Sequence, residues 1–458
     1  MVKLIASTDK CSVIPVDYRA YKLLHDGVLE LSRVESVGMR IDVARLKENR
    51  KVVENRIVEL ESELKNTDVW STWRKVYGEK ANLGSRYQLG KVLFGELGYE
   101  PVGFTGTGRV KVDEKALSLL EIPFVQKYLE MEKLKKALST YIRGIEREVV
   151  DGYLHPVFNL HLVKTYRSSC EMPNFQNIPI RDETVGRLIR TCFVPREGHV
   201  LIECDYGALE FRIAACFWKD SKMVEYARDS TKDIHRDMAS KCFLLPVEEV
   251  PKQVRFYAKN QFVFPQLYGS YYVSCAKNLW KFVPDLSLSD GTSMEEHLRK
   301  NGIVSYNQFE EHIKDVENYF NSFFREWSRG KEEWVANYFR RGYFKMMTGF
   351  VCSGVMSKNE LYNWPIQGPA FHCLLFSLIR LNRFLRKHSF RSVIIGQIHD
   401  SIVADVHRDE ISDFVNEAVR IMTDELSRKW DWVIVPMAVE VEIAENNWFE
   451  KRPYAHGK

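Results

Sequence analysis

The amino-acid sequence predicts an α+β protein: a β-rich region divided by a helical insert and preceded by a helical arm. Three observations carry this. Residues 200–215 (VLIECDYGALEFRIAA) open on an apolar, β-rich run and continue as a helix-like pattern. Residues 392–406 (SVIIGQIHDSIVADV) read as a strand, a tight turn and a returning strand. Between them residues 220–360 are mainly helical, so the simplest architecture is one sheet assembled from both β-rich segments, 157–215 and 392–448.

Taken in chain order, residues up to about 26 read as an irregular leader. Residues 31–66 carry a break at Gly38, a helix-capping Asp42 and then a long charged helical pattern. In residues 82–99 (NLGSRYQLGKVLFGELGY), Ser85 is placed to cap an amphipathic helix. The glycine-rich GFTGTGR at 103–109 has neither the lysine nor the strand-to-helix setting of a nucleotide loop and is read as a connecting loop. Residues 124–150 predict one more long helix. Its Lys133, Lys135, Lys136, Arg143 and Arg147 outnumber Glu132 and Glu146, a local excess that suits contact with a phosphate backbone. From residue 155 the pattern turns to short strands and turns. The boundaries expected are a leader at 1–26, the arm with a first segment on the side of the sheet at 27–154, β-rich parts at 155–220 and 363–458, and the helical insert at 221–362. No internal repeat or low-complexity tract is present.

With 458 residues, 45% of them hydrophobic, the chain can bury several cores. The formal net charge of +4 (66 basic minus 62 acidic) does not by itself imply a nucleic-acid partner. Nine cysteines occur with no CxxC pair and no histidines in zinc spacing, which argues for reduced thiols in a cytosolic compartment. The N-terminus lacks the apolar core of a signal peptide, and no apolar run approaches the ~20 residues of a membrane span. A soluble cytoplasmic protein is expected.

The chemistry is concentrated in three places. Asp205 ends one predicted strand and Asp400 sits in the His399-Asp400 turn after another; two carboxylates at adjacent strand ends can share divalent metals, as in-line phosphoryl transfer requires. Between them lies RFYAKNQFVFPQLYG, residues 255–269. Arg255 and Lys259 are four apart, share one helix face and could grip a triphosphate; aromatic Phe262, Phe264 and Tyr268 follow.

This order of acid, basic-aromatic helix and His-Asp turn resembles motifs A, B and C of family A DNA polymerases, the family of bacterial DNA polymerase I. Other stretches extend the likeness over about residues 31–450. NLGSRYQLGKVLFGELG is similar to the thumb pattern "NxxSxxQLxxxLFxxLG", with Ser85, Gln88 and Leu89 in order, and LKKALSTYIRGI to the lysine-rich end of the second thumb helix. TYRSSCEMPNFQNIPIR aligns without gaps on "TGRLSSxxPNLQNIPxR", NWPIQGPAF matches "NxPIQG", and VPMAVEVEIAENNWFE is similar to "vPlxvExxxGxNWxE". The resemblance implies a right-hand fold with helical thumb, antiparallel β palm and inserted helical fingers. It implies template-directed addition of dNTPs to a primer 3′-hydroxyl with pyrophosphate release, using two Mg2+ per active site. The implied partners are primer-template DNA and dNTPs, for a monomer in a bacterial or phage-infected cytoplasm; accessory replication proteins stay open.

Residue by residue, the resemblance implies that Asp205, Asp400 and the Tyr206 carbonyl hold the metal ions. Lys259 joins the two aspartates as a catalytic residue, donating a proton to departing pyrophosphate. Arg255, Lys259, His235 and Tyr268 are implied in dNTP binding, with Glu210 where a ribose 2′-hydroxyl would sit. Motif B is one residue longer than in bacterial relatives, which a helix bulge could absorb. Counting back from Tyr268-Gly269 makes Phe264 the sugar-stacking aromatic; counting forward from Lys259 gives Val263, and the first count is preferred. Arg167, Asn174, Asn177, Asn363, Gln367 and His399 are the implied primer-template contacts.

Four departures stand out. Tyr166 replaces a glycine, Ser168 a leucine, Phe350 the arginine of "TxxGR", and Ser401 the glutamate of "VHDE". Only some thirty residues precede the thumb, too few for a domain, so no exonuclease is expected in this chain. Three other readings touch the same residues: a single-subunit RNA polymerase relative, against which Glu210 argues; an HD-type phosphohydrolase, whose pair lies on helices; and a primer-template binder without catalysis, which the departures suggest and the retained acids and cations oppose.

Overall fold

A computed structural model describes residues 11–105, 107–179 and 182–455. Its centre is a five-stranded antiparallel sheet ordered Val393–Ile398, Ser401–His407, His199–Tyr206, Val439–Ala444 and Arg452–Pro453. Strand alternation explains why these residues pair. In His199–Tyr206 the side chains of Val200, Ile202, Cys204 and Tyr206 are buried, while Glu203 and Asp205 occupy the alternate positions and face the opposite side. The two β-rich regions therefore do meet in one sheet. The earlier hairpin, Val157–Asn159 with Ser169–Glu171, stays outside it as a separate pair.

Against the sheet lies the long helix Lys358–Lys387, started by a capping box in which Ser357 and Glu360 satisfy each other's backbone N–H groups. It packs on Leu209–Trp218, the helix that follows the central strand. The region 221–341 forms the expected helical insert, from Ser221–Arg228 through Arg325–Arg341.

The N-terminal region differs from the irregular leader expected. Residues 1–10 lie outside the described residues, but Cys11–Pro15 is a strand and Tyr18–Val37 a 20-residue helix capped by Asp17. The strand pairs with Phe350–Gly354, a partner more than 300 residues away that no local pattern announces. The helix packs on Lys358–Lys387 and on strand Val393–Ile398. It buries Ala20, Leu23, Leu31 and Val34, and its buried Asp26 and Glu30 are met from the long helix: Arg383 reaches Asp26 at 2.9 Å and Glu30 at 3.2 Å, and Arg386 reaches Glu30 at 3.0 Å. Breaking a buried pair is costly when it strands a charge, but without Arg383, Asp26 keeps Lys22 at 3.0 Å and Glu30 keeps Arg33 and Arg386. Because Arg383 is itself part-exposed, Arg383→Ala is expected to cost about 2 kcal/mol rather than the full penalty, read as an earlier urea midpoint.

The arm is built on Val43–Lys65, capped by Asp42 as expected, packed against Pro123–Lys136. Leu46, Val53, Ile57, Leu60 and Leu64 form its buried stripe at helical spacing. Ser85 caps Arg86–Gly90. The second arm helix runs from Pro123 but widens into a π turn at Ala137–Ile142 and ends at Glu148. The expected helix to 150 stops earlier because Val149–Val150 pairs with Tyr153–Leu154 around an Asp151-Gly152 turn, both residues at positive φ. Its basic residues are largely neutralised: Lys133 pairs with Asp182, Lys135 with Glu61, Arg143 with Glu54 and Arg147 with Glu148. No helix among the described residues is long and apolar enough to cross a membrane, and the nine cysteines are buried and unbridged.

Candidate active site

The sheet's polar face opens into a cleft of about 950 Å³. Asp205 and Asp400 both line it. They come together because Ser401 pairs with Asp205 in the antiparallel ladder, and the Tyr206 N–H donates to the Asp400 carbonyl at 3.2 Å. The turn residue His399 takes φ +48°, the left-handed geometry needed to reverse the chain so tightly, and its side chain is exposed.

Burial pushes the Asp205 carboxyl up to about 7, and the negative charges of Asp400, Glu203 and Glu440 add to the effect. Burial also raises Asp400, opposed by the charges of Arg167 and Lys259. Two half-desolvated carboxylates that resist ionising side by side form a site that a cation would relieve. The donors are hard oxygens, which suits Mg2+. Among the described residues no group of three His, Cys, Asp or Glu side chains converges on one metal position, so carboxylates alone do not complete a coordination shell. Tyr206 turns its ring into the core, where its hydroxyl meets Ser377 Oγ at 2.8 Å, and leaves only backbone atoms for the cleft.

Across the cleft stands the helix carrying Arg255 and Lys259. The additional residue of this segment is absorbed as a π-helical turn, Lys259–Val263, which rotates everything after it. Val263 is consequently buried, while Phe264 lines the cleft and stacks on Tyr268 with centroids 6.2 Å apart and planes at 8°. Gly269 must be glycine: φ is +84° and a Cβ would come within 2.4 Å of the Tyr362 ring. Lys259 Nζ lies 5.6 Å from the Phe264 ring centroid. Arg255 Nε donates to Asp233 Oδ2 at 2.5 Å. Asp233 also caps the helix Ile234–Phe243, so one carboxylate orders both the arginine and the turn bearing His235. His235 is buried with both ring nitrogens unpartnered among the described residues. Burial, then the charges of Lys259 and Arg255, lower it to about 3, so it is a neutral imidazole waiting for a polar partner.

Glu210 accepts a hydrogen bond from the Tyr268 hydroxyl and lies 3.6 Å from Arg167. Burial raises its carboxyl, with the Tyr268 bond opposing. Arg167 is thereby drawn toward the cleft, close enough for its charge to act on Asp400. Asn174 precedes and Asn177 ends the 3-10 turn Phe175–Asn177; both asparagines are exposed, and the Asn177 carbonyl accepts from the Tyr141 hydroxyl at 3.1 Å. Asn363 and Gln367 lie inside Lys358–Lys387, beyond the Ser357 cap, so neither is a helix-capping amide. The Asn363 Oδ1 is buried with no partner among the described residues.

Two of the departures, Tyr166 and Phe350, pack on each other. Tyr166 holds φ +56°, keeps the left-handed backbone a glycine would take, and donates its hydroxyl to the Val13 carbonyl at 2.7 Å. Its ring packs 5.3 Å from Phe350, which in turn lies 4.4 Å from His372. The two aromatic replacements thus fill one space and pin the N-terminal strand. Ser168 bonds to Gln397, and Gln176 bonds to both. Sequence reasoning missed Glu203, Asp233, Glu440 and Lys451. A signal existed for Glu203, two residues before Asp205 on the same strand face.

Comparison with known proteins decides the family. The model of DNA polymerase family A matches residues 45–450. The chain belongs to DNA polymerase family A. It is 31% identical over 435 residues to "DNA polymerase I, thermostable" of Thermus thermophilus, covering 91% of this chain and 46% of that protein. It is 29% identical over 397 residues to the "DNA polymerase" of Bacillus phage SP01, covering 81% and 40%. The chain thus spans about half the length, or less, of these curated relatives. Among solved structures it resembles the "POL domain of Pol1 from M. smegmatis complex with DNA primer-template and dNTP", with a TM-score of 0.73 and 25% identity over 93% of this chain and 70% of that one. The α+β right-hand fold of family A is therefore the fold of this chain: the sheet is the palm, the arm the thumb and the helical insert the fingers.

Proposed function

We propose that this chain copies a DNA template, adding dNTPs to a primer 3′-hydroxyl with release of pyrophosphate. The observation that carries the reading is the placement of Asp205 and Asp400 at adjacent strand ends, facing across one cleft Arg255, Lys259 and a His235 whose ring nitrogens have no hydrogen-bond partner among the described residues. Asp205, Asp400 and the Tyr206 carbonyl would hold two Mg2+ ions. When bound, these supply charge neutralisation at the attacking and leaving oxygens and favour loss of the primer hydroxyl proton.

The remaining work falls to the protein's own side chains. Arg255 and Lys259 bind the triphosphate, and the neutral His235 offers its N–H to a phosphate oxygen. Lys259 gives a proton to the leaving pyrophosphate. Phe264 stacks under the sugar. Arg167 reaches the primer terminus in the minor groove, whose acceptors are alike for correct pairs. Asn174, Asn177, Asn363, Gln367 and His399 hold the duplex and template. The domain scheme that fits this reading has a thumb with a first palm-side segment at 27–154, palm at 155–220 and 363–458, and fingers at 221–362; the helix Tyr18–Val37, packed on Lys358–Lys387 and Val393–Ile398, belongs to the palm side. The protein would act as a monomer in a bacterial or phage-infected cytoplasm.

Primer extension by the purified chain with Mg2+ tests the proposal: a labelled primer should lengthen along the template, and a chain that binds DNA without elongating it would support the binder reading instead. Glu210, braced by Tyr268 and Arg167, occupies the sugar side of the cleft. Glu210→Ala is expected to erode discrimination against ribonucleotides roughly 100-fold, the scale on which a pocket rejects one added hydroxyl. Measuring kcat/KM for paired dNTP and rNTP checks it.

A further inference from the structure

The acids of the cleft include one with no assigned role. Glu203 precedes Asp205 by two residues, so both side chains leave the same face of the central strand. Both oxygens of Glu203 are engaged. Oε1 accepts from the Ser401 hydroxyl at 3.0 Å; Oε2 accepts from Trp448 Nε1 at 3.1 Å and from Lys451 Nζ at 2.8 Å. Lys451 also reaches Glu442, the residue opposite Glu203 in the ladder. Arg190 closes the far side, its guanidinium 3.9 Å from the Trp448 ring centroid.

Ser401 is the residue after Asp400, and its hydroxyl also lies 3.0 Å from the Ile398 carbonyl at the other end of the same turn. The single hydroxyl proton is shared between that carbonyl and Glu203 Oε1, so the Ser401 end of the His399-Asp400 turn is tied to a carboxylate on the neighbouring strand. Three donors, one of them the Lys451 ammonium, hold that carboxylate in place and offset its charge.

We propose that Glu203 is a positioning residue: through Ser401 it fixes the turn bearing Asp400 against the strand bearing Asp205, while Lys451 from the C-terminal segment balances its charge. The inference rests on the reading of the cleft as a polymerase site. In this chain Ser401 stands where the family pattern has glutamate, and a carboxylate on the adjacent strand meets it.

Single-turnover incorporation of one correct dNTP, titrated with Mg2+, tests it in the full chain. Glu203→Ala should slow incorporation ~10- to 100-fold and raise the Mg2+ concentration at half-maximal rate, the usual scale for a residue that orients a ligand. Mn2+ binding to the protein–DNA complex, followed by EPR, should weaken in parallel, while the Kd for primer-template stays within about twofold. Ser401→Ala, which removes only the hydroxyl link, should show a smaller version of the same change. The double variant should be no slower than Glu203→Ala alone, because both act along one path. Glu203→Gln, which keeps an acceptor for Ser401, should recover much of the rate. Effects of Glu203→Ala and Ser401→Ala that multiply, or an unchanged rate and Mn2+ affinity in either variant, would overturn the proposal. Should Glu203→Ala fail to fold, the Ser401→Ala and Glu203→Gln results decide alone. A wild-type chain that does not extend primers sinks the polymerase reading instead, so the two failures are separable.

Discussion

Asp205→Asn should abolish nucleotide incorporation while making the metal-free protein more stable at alkaline pH. The amide removes a negative donor from a pair that together stabilises the charge developing in phosphoryl transfer. Losing several kcal/mol of that stabilisation predicts a fall in kcat of at least ~10³-fold. The stability gain follows from the sign of the carboxyl's shift. Folding raises Asp205 from 3.8 to about 7, so between those values the folded chain holds a proton that the unfolded chain has released. That contribution is fully present below pH 3.8 and is lost as pH climbs through 7. At pH 8 the wild type bears the full cost of ionising a buried group beside Asp400, and the asparagine variant does not. Melting in EDTA at pH 8 should favour Asp205→Asn by about 1 to 2 kcal/mol, a discount on the whole shift because Glu203 and Asp400 relax together. At pH 5 the advantage should shrink.

Lys259 carries the second large effect. It shares a helix face with Arg255, and its charge reaches both His235 and Asp400. Lys259→Ala is expected to lower kcat ~10²- to 10³-fold, the range for losing a positioned general acid, with primer-template affinity unchanged within about twofold. Lys259→Arg separates charge from proton donation. A guanidinium keeps the positive charge but does not release a proton at working pH, so KM for dNTP should recover while kcat stays low. Steady-state kinetics on both variants checks this. Full recovery of kcat by arginine would reduce Lys259 to an electrostatic role.

How much of this site was legible beforehand depended on how local the determining interaction is. Asp205 and Asp400 could be placed because apolar strands deliver them to turns, and a strand's faces follow from alternation alone. The longer motif B could be anticipated as a bulge because a helix accommodates one added residue by widening a turn; the structure puts that turn at Lys259–Val263 and leaves Phe264 in the cleft. The caps at Asp42 and Ser85 are four-residue signals and were equally readable.

The interactions that escaped are those whose two halves lie far apart in the chain. Cys11–Pro15 pairs as a strand with the edge that Phe350–Gly354 offers, and Tyr166 packs on Phe350, nearly two hundred residues away. The basic thumb helix reads as a phosphate-binding surface until Glu54, Glu61 and Asp182 are seen to meet it from other elements. Glu203 is silent without Ser401 and Lys451, which come from two separate segments. Composition and periodicity constrain what one element buries, whereas partners across the fold decide whether a charge is free.

The central claim is that Asp205 and Asp400 act as one unit in the chemical step. A double-mutant cycle on single-turnover dNTP incorporation, using Asp205→Asn, Asp400→Asn and both together on a bound primer-template, tests it most directly. If the two carboxylates share their task, the double variant will be no slower than the slower single variant. Two losses that multiply, or a single variant that incorporates at the wild-type rate, would contradict it.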